Sequence, residues 1–186
     1  PHYITTSKSY SKTREKCKTV KCRVIRPRFA DVAFFWTQDK KQPLDAFLLR
    51  LDQLVFQKKL GTTGEKCQRI EKLSEISAGQ MGADVKQASR AALLSKCDLM
   101  SDVVGEFPSL QGVMGRYYAI ASGEDVAIAT AIEEQYLPRH ASDSLPATAA
   151  GQVVALSDRI DTLVGIFAIG EKPTGVKDPY ALRRAA

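Results

Sequence analysis

The chain has 186 residues, of which 44% are hydrophobic and 26% charged. These proportions are ordinary for a globular domain. No apolar run approaches the roughly 18 residues that a membrane-spanning helix needs, and the first residues lack the apolar core of a signal peptide. We therefore expect a cytoplasmic protein with one main core and no membrane partner.

The net charge of +6 is concentrated near the start of the chain. Residues 1–28 hold nine basic residues against one acidic residue, whereas residues 29–186 hold 18 basic against 20 acidic. A basic segment attracts nucleic acids or acidic surfaces with salt-dependent affinity, and a solvated tail is the alternative.

The first residues also suggest a short strand. Val20, Cys22 and Val24 alternate with polar residues, which predicts a strand, and Pro27 is expected to end it. Residues 1–25 are therefore expected to form a basic, extended segment that could end a preceding domain.

Four cysteines occur, at Cys17, Cys22, Cys67 and Cys97. None forms a CxxC motif and the chain has two histidines, which argues against a zinc site. Reduced thiols are the expectation for a cytosolic protein, although a disulfide between Cys17 and Cys22 stays open.

From Phe29 onward, apolar residues recur at helical spacing, which predicts a mostly α fold of about seven helices. Asp84 and Asp178 are expected to cap helices, with Pro179 in the first helical position. Residues 26–186 are thus expected to form one multi-helix domain that is truncated at its C-terminus. The predicted helices cover residues 29–36, 44–60, 67–79, 85–104, 109–120, 124–136 and 153–169, with a further helix starting after Asp178.

The stretch of residues 105–119, GEFPSLQGVMGRYYA, is dense in glycine. Glycines at this density indicate close backbone approach or a positive φ. We expect a helix that packs through Gly112 and Gly115 and projects the Arg-Tyr-Tyr of residues 116–118. A buried helix pair and a surface for a ligand or RNA are both compatible with this pattern.

Two acid pairs have helical spacing, Asp98 with Asp102 and Asp158 with Asp161, so each pair could share one helix face. The sequences around them resemble the metal-binding helices of the His-Asp (HD) phosphohydrolase superfamily. Such a site needs several imidazoles and carboxylates around a divalent metal.

This chain cannot supply those imidazoles, and Lys96 stands near the position where a metal ligand would be. We therefore predict a degenerate HD site at Lys96, Asp98 and Asp158, without metal and without catalytic residues. The plainer alternative is that Asp158 and Asp161 pair with Arg159 or with a lysine of a neighbouring helix.

Nucleophilic triads and phosphate-binding loops are also absent from the sequence, so binding is the remaining class of function. Basic and aromatic residues in turns and loops could contact RNA. The candidates are Arg26, Arg28, Arg116, Tyr117, Arg139, His140, Lys172, Lys177, Arg183 and Arg184.

Residues 106–119 resemble the EFxxxQGxMGxxYA signature of the beta subunit of bacterial, heterotetrameric glycyl-tRNA synthetase. The resemblance extends over residues 26–186 and includes KPTGVKDPYALRRAA at residues 172–186. Residues 1–25 depart from that pattern.

The resemblance implies a central, HD-like helical domain of that subunit, within an enzyme of two alpha and two beta subunits. It implies that the alpha subunit holds glycine, ATP and Mg, and that the beta subunit contributes recognition of glycine tRNA and assembly. No cofactor is then expected in this chain. A purely structural scaffold between domains, and a residual HD-type metal phosphohydrolase, are the alternative functions.

Overall fold

The computed structural model describes residues 14–140, 142–174 and 177–186. The chain divides into two compact units, Pro1–Gln38 and Asp39–Ala186. The expectation of an extended segment over residues 1–13 lies outside the described residues.

The first unit is dominated by helix α1, Arg14–Asp39. The prediction of a strand at residues 20–24 is wrong, because this segment is helical. Three alternating residues are too few to hold a strand without partners, whereas lysine and arginine are good helix formers. Pro27 lies inside the helix, where its ring removes one backbone donor.

The second unit begins with two short helical turns and a small antiparallel hairpin. A 3-10 turn at Leu44–Phe47 leads into α2, and strands β1 and β2 pair after it; their bounds are Leu48–Leu51 for α2, Val55–Gln57 for β1 and Gly61–Thr62 for β2. The single helix predicted over residues 44–60 is therefore wrong. Leu51 is buried but Leu54 and Val55 are exposed. The apolar residues of this segment therefore do not form one buried helix face.

The remaining helices confirm a mostly α fold. They are α3 (Thr63–Met81), α4 (Val85–Leu94), α5 (Asp102–Glu106), α6 (Val113–Ala121), α7 (Val126–Glu134), α8 (Ala149–Ala168) and α9 (Leu182–Ala185). Two more 3-10 turns lie at Cys97–Met100 and Pro108–Leu110. Within the described ranges, no helix has the length and apolar character needed to cross a membrane.

Several helix ends follow from side-chain chemistry. Thr62 and Glu65 form a capping box at the start of α3, which ends at Gly82 with a φ of 69°. Asp84 accepts a hydrogen bond from the N–H of Gln87, so its predicted capping role is confirmed. Asp178 also accepts from backbone N–H groups of α9, but α9 starts at Leu182 instead of Pro179.

The core of the second unit lies where α3 packs against α4 and α8, with α7 packed against α4, α6 and α8. Ile70, Leu94, Ile132 and Val153 are fully buried there. The predicted apolar stripe of α8 is only partly a core face; Leu156, Ile160 and Phe167 on that stripe are exposed. The opposite side of α8 carries Val154 and Ile166, which are buried instead.

Two cysteines contribute to this core as small apolar residues. Cys67 and Cys97 are free and buried, and burial raises the pKa of the Cys67 thiol to about 11. The side chains of Cys17 and Cys22 lie outside the described residues. The expectation of reduced thiols therefore holds for the two core cysteines.

The predicted helix over residues 85–104 is broken after Leu94 into the shorter elements α4, a 3-10 turn and α5. Gly112, with a φ of 82°, then precedes α6. A glycine is required there because side chains rarely adopt this conformation. Tyr118 does not project as expected; it is 2% exposed and its hydroxyl donates to Asp39.

Gly115 is a position where α6 approaches its neighbours closely, as the sequence predicted. An added Cβ would lie 2.7 Å from Cγ2 of Ile132 and 3.2 Å from the Asp98 carboxylate. We expect Gly115→Ala to lower the free energy of unfolding by about 1 to 3 kcal/mol through overpacking, measured by urea denaturation. Gly105→Ala is the matched control, because a Cβ there meets nothing within 4 Å; equal effects at both positions would contradict the close approach.

Candidate functional site: a basic cleft above a buried charge cluster

Five charged side chains meet between α3, α8 and the turn that follows α4. We call them the charge cluster: Lys66, Arg69, Lys96, Asp158 and Asp161. Helix α3 carries Lys66 and Arg69, α8 carries the two aspartates, and Lys96 lies in the break after α4. The break in the helix after Leu94 places Lys96 inside the protein, where it is 6% exposed.

The cluster is joined by short ion pairs. Lys66 Nζ lies 2.9 Å from Asp158 Oδ1 and 3.0 Å from Asp161 Oδ2. Lys96 Nζ lies 2.9 Å from Asp158 Oδ2, and Arg69 Nε lies 2.6 Å from Asp161 Oδ1. Both lysines thus converge on one carboxylate, and the five groups carry a net charge of +1 when all are ionised.

Electrostatics keep the central carboxylate ionised. Burial would raise the pKa of Asp158, but the adjacent ammonium groups of Lys96 and Lys66 outweigh burial and hold that pKa well below its ordinary value. A carboxylate with two close cations favours its charged form in this way. Asp158 is therefore charged at every physiological pH.

Asp98, the third position of the predicted degenerate HD site, contacts backbone groups at the start of α6. Its Oδ2 accepts hydrogen bonds from the N–H of Gly112 at 2.6 Å and of Gly115 at 3.1 Å. It is fully buried, and burial raises its pKa although these N–H groups oppose that shift. Asp102 is exposed on α5, so Asp98 and Asp102 do not share a face as the sequence suggested.

The structure thus brings together two of the three degenerate HD positions, Lys96 and Asp158, and directs Asp98 to the backbone of α6. Among the described residues, no three His, Cys, Asp or Glu side chains are grouped as a metal site would require. Two ammonium groups instead contact the carboxylate. The expected absence of a metal stays a prediction.

The ion pairing of Asp158 with a lysine of a neighbouring helix is confirmed, and its pairing with Arg159 is wrong. Arg159 instead donates to the carbonyl oxygens of Leu137 at 2.7 Å and Ala155 at 3.0 Å. Lys66 is not among the site residues predicted from the sequence. Its signal is its position four residues before Ile70, which puts a charged residue on the apolar face of α3.

A cleft of about 740 Å³ opens above the charge cluster. Its floor includes Lys66, Lys96 and Asp158, and its lining also contains the aromatic residues Phe56, Tyr136 and Tyr180. Lys96 Nζ lies 4.4 Å from the ring centre of Tyr136, and Lys66 Nζ lies 4.5 Å from that of Phe56. The cleft is therefore cationic and aromatic.

The structure brings two of the predicted RNA-contacting residues to this cleft, Arg139 and Arg184. Both are exposed, as is the neighbouring His140. Arg139 donates to the carbonyl oxygen of Gln111 at 3.4 Å. These rim residues come from the loop after α7 and from α9, which are far apart in sequence.

The other candidates are not among the residues that line the cleft. Arg116 is ion-paired with Glu133 at 3.0 Å, and Tyr117 is 53% exposed on α6. Arg183 is exposed and its guanidinium donates to the carbonyl oxygen of Thr174. The remaining candidates, all exposed, are Arg26 and Arg28 on α1 and Lys172 and Lys177 in the segment before α9.

Comparison with known proteins agrees with the resemblance of the central stretch. The family model described as glycyl-tRNA synthetase beta subunit matches residues 1–186. The glycine–tRNA ligase beta subunits of Chromohalobacter salexigens and Pseudomonas fluorescens are 53% and 52% identical over 186 residues. That of Pseudomonas aeruginosa is 52% identical over the same length.

Each alignment covers 100% of this chain and 27% of the relative, so the chain spans about a quarter of the length of the curated relatives it matches. The match includes residues 1–25, so the expected departure of these residues from the family pattern is wrong. The family model and the identity to these relatives both show that the chain belongs to the glycyl-tRNA synthetase beta subunit family.

Proposed function

We propose that this chain is a non-catalytic part of the beta subunit of a cytoplasmic glycine–tRNA ligase. It contributes to the binding of glycine tRNA and to the organisation of domains and subunits during ATP-dependent glycyl-tRNA synthesis. The alpha subunit is its partner and is the site where ATP and Mg act.

The charge cluster is the observation that carries this proposal. The floor of an HD-type site must hold a divalent metal to activate water, but here two ammonium groups occupy the space around Asp158. An ammonium group cannot act as a Lewis acid. The ion pairs in this interior therefore hold the helices together but do not activate water for hydrolysis. The exposed arginines at the rim then offer phosphate-binding groups.

The proposal is tested in the assembled ligase by reversing the charge of two exposed arginines, Arg139 at the rim of the cleft and Arg183 on α9 outside the cleft lining. Arg139→Glu combined with Arg183→Glu is expected to raise the KM for glycine tRNA by about tenfold or more, because removing each interaction with a phosphate weakens binding in a salt-dependent way. Aminoacylation kinetics measure this. Glycine-dependent ATP–pyrophosphate exchange without tRNA should stay unchanged, since it does not need the RNA.

The matched control reverses two exposed lysines on α3 and α4, Lys72→Glu with Lys86→Glu, which is expected to leave the KM for tRNA within about twofold of the wild type. An unchanged KM in the arginine variant would support a second function, that of a scaffold between domains. The buried ion pairs that join α3 to α8 favour that function, because they fix helix positions without needing any ligand.

A further inference from the structure

The residues that line the cleft carry more positive than negative charge. Lys66 and Lys96 at the floor are joined by Arg139, Arg159 and Arg184, whereas Asp158 is the acid among the lining residues. Cations of one sign around a concave surface focus the electrostatic field and attract anions. The ligand that fits this cleft carries negative charge.

The two floor lysines differ in how far their donors are satisfied. Lys66 Nζ faces the carboxylates of Asp158 and Asp161 and donates to Thr162 Oγ1 at 2.7 Å. Lys96 Nζ donates to Asp158 Oδ2 at 2.9 Å. An ammonium group has three N–H donors, and Lys96 Nζ also lies over the ring of Tyr136. Within the described part of the chain, Lys96 thus has a donor left for an oxyanion, whereas Lys66 has used its own.

The size and the aromatic lining narrow the class of anion. A volume of about 740 Å³ falls in the range of sites that hold small organic ligands. Phe56 and Tyr180 add flat apolar surface to the cationic lining. A nucleobase stacks on aromatic rings regardless of its identity, because every base has a π-face.

We propose that the cleft binds the phosphate monoester of a nucleotide, with Lys96 and the rim arginines holding the phosphate and the aromatic residues holding the base. The nucleotide is either a free 5′-mononucleotide or the 5′-phosphorylated end of an RNA, since both present the same dianionic group. For a free mononucleotide the inference goes beyond the proposed function, whereas for an RNA end it rests on that function.

Equilibrium dialysis measures the binding of 5′-GMP and of 5′-CMP to the assembled ligase at about 150 mM salt, which is about physiological ionic strength. These nucleotides avoid competition at a site for adenosine nucleotides. We expect saturable binding with a Kd below about 1 mM, and guanosine, which lacks the phosphate, should bind at least tenfold more weakly. Lys96→Met should weaken GMP binding at least tenfold, while the exposed control Lys86→Met leaves it unchanged.

A second pair of variants separates a built site from a diffuse positive field and does not disturb the buried cluster. Arg184 lines the cleft and its neighbour Arg183 does not; both are exposed. We expect Arg184→Gln to weaken GMP binding several-fold and Arg183→Gln to leave it unchanged. Equal losses in both variants, equal binding of GMP and guanosine, or no saturable binding would overturn the proposal.

Competition identifies the source of the phosphate. Short acceptor-stem RNAs with a 5′-phosphate or a 5′-hydroxyl are added to bound GMP. Displacement by the phosphorylated RNA alone assigns the site to an RNA end, and displacement by neither RNA assigns it to a free mononucleotide. Because dialysis of GMP involves no tRNA and the KM for tRNA is measured in a separate assay, failure of the nucleotide site and failure of tRNA binding are distinguishable.

Discussion

Asp158→Ala is expected to lower the free energy of unfolding by about 3 to 5 kcal/mol, because it leaves two buried ammonium groups without their shared carboxylate. The side chains of Lys66 and Lys96 are 5% and 8% exposed, so hydration replaces the missing carboxylate only in part. Urea denaturation of the wild type and the variant measures the difference.

Asp102→Ala is the control, since Asp102 is an exposed acid on α5 and surface substitutions usually change stability by about 0.5 kcal/mol or less. The triple replacement Lys66→Met, Lys96→Met and Asp158→Leu should recover much of the loss, because an apolar core can replace a buried ion pair. A single Asp158→Ala variant as stable as the Asp102→Ala control would contradict the assigned ion pairs.

The lowered pKa of Asp158 sets how this effect depends on pH. A carboxylate whose pKa is lower in the folded state contributes stability above its unfolded pKa, and that contribution is lost as the pH falls through the folded pKa. The difference between wild type and Asp158→Ala should therefore be constant from pH 7 to about pH 5 and should shrink below the ordinary value of 3.8.

Asp39→Ala is expected to cost about 3 kcal/mol, because one buried carboxylate accepts three hydrogen bonds. Its oxygens accept from the N–H of Asp102 at 3.0 Å, the N–H of Val103 at 3.2 Å and the hydroxyl of Tyr118 at 2.6 Å. Removing a buried acceptor costs about 1 to 3 kcal/mol for each donor that loses its partner, and relaxation reduces the sum.

Urea denaturation again gives the measurement, and Asp31→Ala, an exposed acid on α1, is the control. Tyr118→Phe removes one of the three donors and should cost about 1 kcal/mol. In the double variant the tyrosine substitution should cost less than it does alone, since its acceptor is already gone. Additive costs would show that the hydroxyl and the carboxylate act independently.

The mostly α class and several helix ends could be predicted because they depend on local chemistry. Asp84 caps α4, and Gly82 and Gly170 lie with positive φ beyond α3 and α8. The hairpin at residues 55–62 could not be predicted from spacing, since short apolar runs fit helices and strands alike. The break after Leu94 depends on contacts of Lys96 and Asp98 with distant residues. The local sequence pattern does not predict such contacts.

The sequence predicts which types of residue form the site, but it does not predict which of them are in contact. Lys96 and Asp158 are predictable because both lie in segments that resemble metal-binding helices, and the structure brings them together. Lys66 carries no metal-ligand signal in the sequence, and the partners of Arg159 depend on the path of the loop at residues 137–138. Interactions between distant segments decide both cases.

A salt titration of tRNA binding tests the central claim most directly. The assembled ligase and its Arg139→Glu, Arg183→Glu variant are titrated with glycine tRNA between about 50 and 200 mM salt, and the logarithm of affinity is plotted against that of salt concentration. If these arginines bind phosphates, the variant binds more weakly and its slope falls by about one for each phosphate that is no longer neutralised. Identical affinities and slopes would contradict a role for this domain in binding RNA.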